Sequence, residues 1–230
     1  MVDTHRDFRC AVQPDQFLEL PAERYVWIPD IENVDTLERE TELHSSLRNF
    51  CGEQFSVGIF GSLTGSRCVH AFMELVRRNP SVRFAMVGRL RRDQIDPDCV
   101  AEIDSGIHMN LFVSDAFVES EAALNSAISC VHSVFIDSTE YLLQSGIVIK
   151  GLALGKFILS TPGNSWTHDL IRTAHVGAIV ERDSEDLLSC WDEWRLNQGS
   201  AHNQKVHSEL TDPKLVNASF DRIRELLTQN

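Results

Sequence analysis

Paired cysteines are missing from this chain. Its six, Cys10, Cys51, Cys68, Cys99, Cys130 and Cys190, stand singly with no C-x-x-C step. That spacing excludes the usual disulfide frame and zinc ribbon, and suits reduced, partly buried thiols in a reducing compartment. Basic residues are also few. Against 34 Asp and Glu there are 21 Lys and Arg, a formal net charge of −13, so the surface as a whole repels nucleic acid and anionic membranes. No apolar run approaches the roughly 20 residues of a bilayer span. The opening MVDTHRDFRC is polar, without the basic-then-apolar order of a signal peptide. A cytoplasmic protein is expected, with neither nucleic acid nor membrane as partner.

Several signatures of chemistry are absent too. The nine histidines include no H-E-x-x-H or other metal spacing, so no metal is expected. There is no G-x-S-x-G elbow for an acyl-transfer serine. Gly58, Gly61 and Gly65 miss the G-x-G-x-x-G spacing, and Gly65-Ser66-Arg67 lacks the lysine of a P-loop. Asn217-Ala-Ser219 matches a glycosylation acceptor, which without a signal peptide is chance.

What is present is an alternation of short apolar runs and helical segments. At 230 residues with 43% hydrophobic content the chain can bury a full core. FSVGIF, VRFAMVG, IHMNLFV, Val131–Ile136, Lys156–Ser160 and Val176–Val180 read as strands. VHAFMELVRRN, SDAFVESEAALNSAIS, Gly146–Leu154, Trp166–Ala174 and Ser184–Asn197 read as helices between or after them. The expected fold is α/β, a doubly wound Rossmann-like parallel sheet of about six strands with helices on both faces. The organisation expected is a lead-in over 1–52, a nucleotide-binding domain over 53–198, and a polar loop with a docking helix over 199–230. In the lead-in, Arg24–Ile28 reads as a short strand and ENVDTLERETELHSSLRNF as a surface helix with a thin apolar face. GSAHNQKVHSELTDP reads as a mobile polar segment, and PKLVNASFDRIRELLTQN as the helix that docks.

Ligands of such sheets bind outside the carboxyl ends of the strands. Four loops are thereby selected: Gly61–Arg67, Gly88–Arg92, Asp137–Gly146 and Thr161–Trp166. Arg67, Arg89, Arg91 and Arg92 cluster on two of them, where guanidinium groups either clamp a diphosphate or make surface salt bridges. Arg89 after Gly88 also leaves an NADP-type reading open. In the third loop lie Ser138, Thr139, Gln144, Ser145 and Gly146. Ser145 is a natural N-cap, and a glycine at helix entry lets backbone approach a phosphate. Asn164 and Ser165 repeat the pattern one strand later. His108 and His132 sit at strand starts, away from this rim, and read as structural. So do Trp191 and Trp194, three apart on one helix.

The residues resemble a known family. FSVGIFGSLTGSRCVHAFMELVRRNPSVRFAMVG looks like the opening of the C-terminal, donor-binding domain of retaining GT-B glycosyltransferases. SVFIDSTEYLLQSGIVIKGLALGKFILSTPG follows that family's D-V-F-V-x-P-S-x-x-E-G-F-G-x-x-x-x-E-A-x-A-x-G-K-P-V-I without gaps, with Ala153-Leu154-Gly155-Lys156 on its A-x-G-K. The resemblance covers about residues 25–228, the C-terminal half of a two-domain enzyme. It implies a nucleotide-diphospho-sugar ligand, UDP- or GDP-linked, as substrate with no separate cofactor, and an acceptor-binding half supplied by a partner. Arg67 falls on the family's diphosphate lysine, and Ser62 on the arginine that precedes it. Arg67 with the Ser145-Gly146 helix start is then expected to hold the diphosphate, with Thr139, Gln144 and Asn164 as further polar contacts. The family's two glutamates, for donor sugar and ribose, fall on Leu142 and Lys150. Lys150 can donate a hydrogen bond but not accept one. A non-catalytic binding or assembly module of the same fold is therefore the alternative to a glycosyltransferase domain.

Overall fold

The computed structural model describes residues 34, 36–63, 66–137, 145–163, 165–214, 217–218 and 221, with the side chains of 66–68 outside that description. The strand of the lead-in and most of the expected docking helix lie outside it as well. The described elements are α1 (Glu42–Cys51), β1 (Ser56–Leu63), α2 (Ser66–Arg78), β2 (Arg83–Leu90), α3 (Pro97–Ser105) and β3 (Leu111–Ser114). They continue with α4 (Glu121–Ser129), β4 (Ser133–Ile136), α5 (Gly146–Ala153), β5 (Phe157–Ser160), α6 (Trp166–Ala174), β6 (Gly177–Ile179), α7 (Leu187–Asn197) and α8 (Gly199–Leu210).

All five strand pairings are parallel, and the order across the sheet is β3-β2-β1-β4-β5-β6. This is the doubly wound Rossmann order, with its topological switch point between β1 and β4. The strands are apolar on both sides because each side chain in turn enters a different core. Val57, Ile59, Phe84, Met86, Phe135, Phe157 and Leu159 pack on one face under α2, α3 and α7. Phe60, Ala85, Val87, Val134 and Ile158 pack on the other, under α1, α4, α5, α6 and α8. The expected six-stranded α/β sandwich is therefore the fold observed.

Three local expectations are corrected. The helix read over 32–50 begins at Glu42, where the Thr41 side chain accepts from the His44 amide at 3.1 Å and caps it. Its apolar face is thin but wholly used: Leu47 and Cys51 are buried against the sheet and α4. Residues 199–210 are not a mobile loop but α8. Val206 and Leu210 lie on its buried face, and the position three before Val206 is Asn203, fully buried. The Asn203 side chain donates to the backbone carbonyls of Lys156 (2.6 Å) and Val176 (2.8 Å), fastening the helix to the starts of β5 and β6. The periodicity also gives no helix between β2 and β3. α3 is there, capped by the Asp96 side chain with Pro97 at its first position and ended by Gly106 in the left-handed region.

Candidate functional site at the carboxyl rim

The two ends of the sheet are built differently. At the amino ends several polar groups are turned inward and hydrogen-bonded. His132 shares a 2.9 Å hydrogen bond with the Ser56 hydroxyl, and its ring lies edge-on to Trp191, which stacks on Phe55 at 4.8 Å. Burial lowers the His132 pKa from its ordinary value. The Lys156 ammonium donates to the Ser129 carbonyl at 2.8 Å, and burial brings its pKa down to about 8. Burial likewise pushes the Cys51 thiol up to about 11. His132 and Trp191 are structural, as expected, and Trp194 packs on Phe157.

The carboxyl ends present the rim. Gly61 and Gly88 face each other in the β1–β2 register, both at positive φ (105° and 141°). A Cβ on Gly88 would fall 1.8 Å from the Gly61 carbonyl oxygen, so only glycine permits this approach of the two strand ends. One step further, Ser62 and Arg89 are register partners and both are exposed. Arg89 makes no hydrogen bond or ion pair among the described residues. The other rim arginines are engaged in surface pairs. Arg92 binds Asp104 at 2.9 Å and also Asp115, while Arg91 lies 3.3 Å from Asp93. For Asp115, burial opposes ionisation, but Arg92 and the Leu90 amide together hold its carboxyl below the usual range.

At the switch point, α5 starts with its amide ends toward the rim. Ser145 is its N-cap in extended conformation (φ −104°, ψ 123°), and Gly146 is its first residue. Unlike Ser165, whose Oγ accepts from the His168 amide at 3.2 Å to cap α6, the Ser145 hydroxyl makes no capping bond. Lys150, one turn into α5, is buried, 5% exposed at its side chain, and its ammonium lies 3.7 Å from the Glu121 carboxylate at the start of α4. Arg67 occupies the second position of α2, at the carboxyl end of β1, with its side chain outside the described residues. Ser138, Thr139, Gln144 and Asn164 also lie outside them.

One cluster goes beyond the sequence-based candidates. Asp137, directly after β4, is buried and accepts from the Thr161 hydroxyl at 2.6 Å, Thr161 directly following β5. Arg182, from the segment after β6, brings its guanidinium to 3.8 Å from the other Asp137 oxygen. The signal in the sequence was the position of Asp137 and Thr161 at the first polar step after an apolar strand. Nothing local pointed to Arg182.

No protein-family profile and no curated protein matches the chain. Solved structures do. HepE of Anabaena, solved in complex with UDP, superposes with a TM-score of 0.61 at 15% identity, over 89% of this chain and 57% of that one. AviGT4, a glycosyltransferase involved in avilamycin A biosynthesis, gives 0.57 at 16%, over 88% and 58%. The C-terminal domain of a glycosyl transferase group 1 family protein, LpcC of Francisella tularensis, gives 0.50 at 16%, over 81% and 96%. The chain shares its fold with these glycosyltransferases. At these identities the likeness is one of fold. The chain spans just over half the length of HepE and AviGT4, and nearly all of the LpcC domain. Within this sheet, the rim described here is where strand order reverses. No helix among the described residues is long and apolar enough to cross a membrane.

Proposed function

We propose that this chain is a donor-side domain that holds a nucleotide-diphospho-sugar, UDP- or GDP-linked, for glycosyl transfer. The observation that carries the reading is the start of α5 at the switch point. Its first amides carry the positive end of the helix dipole, and the capping hydroxyl of Ser145 is not spent on them. Arg67 at the first turn of α2 supplies the second side of a diphosphate clamp. Such a clamp stabilises the charge that develops on the leaving nucleotide. Thr139, Gln144 and Asn164 are further polar contacts from the adjoining loops, and Ser62 with Arg89 extends the rim over β1 and β2. HepE has been solved with UDP and with UDP-glucose, which supports a uridine nucleotide as the first ligand to try. The half-length match supports an acceptor-binding half on another domain or chain.

A second reading, nucleotide binding without transfer, is favoured by Lys150. It stands where the family resemblance places a ribose-binding glutamate, and it is a buried ammonium paired with Glu121. Thermal-shift titration with UDP, GDP, UDP-glucose and GDP-mannose tests the proposal. Stabilisation by at least one nucleotide is expected, with that gain reduced in Arg67→Ala. If none raises the melting temperature, both nucleotide readings fall. Hydrolysis or transfer assays on a binding-competent sample then separate the first from the second.

A further inference from the structure

We infer that Arg182 is an anion-binding residue of this rim, positioned by Asp137 to take a carboxylate or phosphate carried by a sugar. The inference rests on the nucleotide-sugar reading of the same rim and extends it to the character of the sugar.

The geometry begins with the path of the side chain. Pairing of β6 with β5 extends one residue past the strand, the Val180 amide donating to the Ser160 carbonyl at 2.8 Å. Arg182 follows two residues later, at the outer edge of the sheet. Its guanidinium nevertheless reaches a carboxylate that follows β4. The side chain therefore leans across the end of β5 toward the β1–β4 switch point, where ligands of this sheet order bind.

The chemistry comes from how the group is held. A separation of 3.8 Å is a charge contact, too long for a hydrogen bond. Arg182 donates no hydrogen bond to the described residues, so its planar fork of N–H donors is available. The side chain is 39% exposed, whereas that of Asp137 is 4% exposed and anchored by Thr161. A buried, fixed carboxylate thus orients a half-open guanidinium before any ligand arrives, which lowers the ordering cost of binding. Because Asp137 balances the charge of Arg182, the pair offers little general attraction for free anions. What it offers is a directed fork that matches carboxylate or phosphate oxygens, on a molecule already held by its nucleotide or beside it.

The full chain, as wild type, Arg182→Ala and Arg182→Lys, is titrated by calorimetry with UDP, UDP-glucose and UDP-glucuronate. A second series adds glucose or glucose 6-phosphate to the UDP-saturated protein. In wild type the charged member of one pair binds about tenfold more tightly than its neutral counterpart, as one charge-assisted fork allows. The pair that shows this preference says whether the anion belongs to the donor or to the second sugar. Arg182→Ala brings the ratio to about one with UDP affinity unchanged, and Arg182→Lys leaves part of it. An absence of charge preference in wild type, or its survival in Arg182→Ala, overturns the inference. Failure of wild type to bind UDP overturns it together with the nucleotide-sugar reading, whereas UDP binding without charge preference overturns it alone.

Discussion

Asn203→Leu tests whether the segment after residue 198 is a working part of the domain. Leucine has the same γ-branched skeleton of side-chain heavy atoms as asparagine, so the change removes hydrogen bonds without opening a cavity. Two bonds are lost. The Val176 carbonyl keeps the β-ladder bond from the Ile158 amide at 3.2 Å, so losing Asn203 there costs about 1 kcal/mol. The Lys156 carbonyl, at 2.6 Å from the amide nitrogen, loses its bond and is left part-buried, about 1–3 kcal/mol. The Asn203 Oδ1, buried without a hydrogen-bond partner among the described residues, is removed at the same time, which offsets part of the loss. The net is about 2–3 kcal/mol, or roughly 5–10 °C in Tm for a chain of this size. Melts followed by circular dichroism measure it, with Ser208→Ala as control. Ser208 is exposed and, among the described residues, bonds only to its own helix, at the Gln204 carbonyl, so that variant stays within about 1–2 °C of wild type. If Asn203→Leu melts with the control, α8 contributes no tertiary hydrogen bonding and the mobile-loop reading of the sequence stands after all.

Three further outcomes are expected. Gly151→Val on α5 destabilises by about 1–3 kcal/mol in urea titration, because even a Cβ there would lie 2.8 Å from Val134 Cγ2 and 3.1 Å from Ile158 Cδ1. Glu102 accepts from Arg77 Nε at 2.7 Å and shares a 2.6 Å bond with His108, and Arg77 foremost holds its carboxyl at about 2, below the ordinary glutamate value of 4.5. A depressed carboxyl pKa stabilises the folded state above the unfolded value, and that contribution is lost as pH falls through 4.5 toward 2. Glu102→Gln should therefore flatten the decline of Tm in that window, and an unchanged slope would refute the assignment. Ser145→Ala should cost less than the ~1 kcal/mol typical of a serine N-cap, since its hydroxyl makes no capping bond, while weakening UDP binding severalfold in calorimetry. A full capping penalty with unchanged UDP affinity would remove Ser145 from the site.

The sheet was legible because its strands are apolar on successive residues, as strands buried on both faces must be. Val57 and Ile59 enter one core and Phe60 the other, and the pattern repeats in Phe84, Ala85, Met86 and Val87. Helix α8 escaped for the opposite reason. Its buried face includes an asparagine whose partners are carbonyls of two remote strands, a bonding arrangement that hydropathy cannot register. The caps at Ser145 and Ser165 were readable from residue type and place, but not that only Ser165 caps with its side chain. The Asp137–Thr161–Arg182 cluster was beyond reach because its members follow three different strands, and only the β4-β5-β6 neighbourhood brings them together.

The placement of the site follows from an accounting of donors and acceptors as much as from fold analogy. At the amino ends, several polar side chains are already committed. Asn110 donates to the carbonyls of Val76, Asn79 and Val82 at 3.1–3.3 Å, and Asn79 to those of Leu75 and Ser184. Ser56 is joined to His132, Lys156 to Ser129, and the Phe55–Trp191 stack closes over them. Such groups lower the cost of burying backbone at strand starts. At the carboxyl ends the reverse holds. Arg89 is exposed and unbonded among the described residues, Ser145 spends nothing on its helix, and Arg182 is held by charge alone. Uncommitted donors therefore stand at this end of the sheet, beside a pair of opposed glycines that keeps side chains out of the way. Such donors are what an anion-binding rim requires.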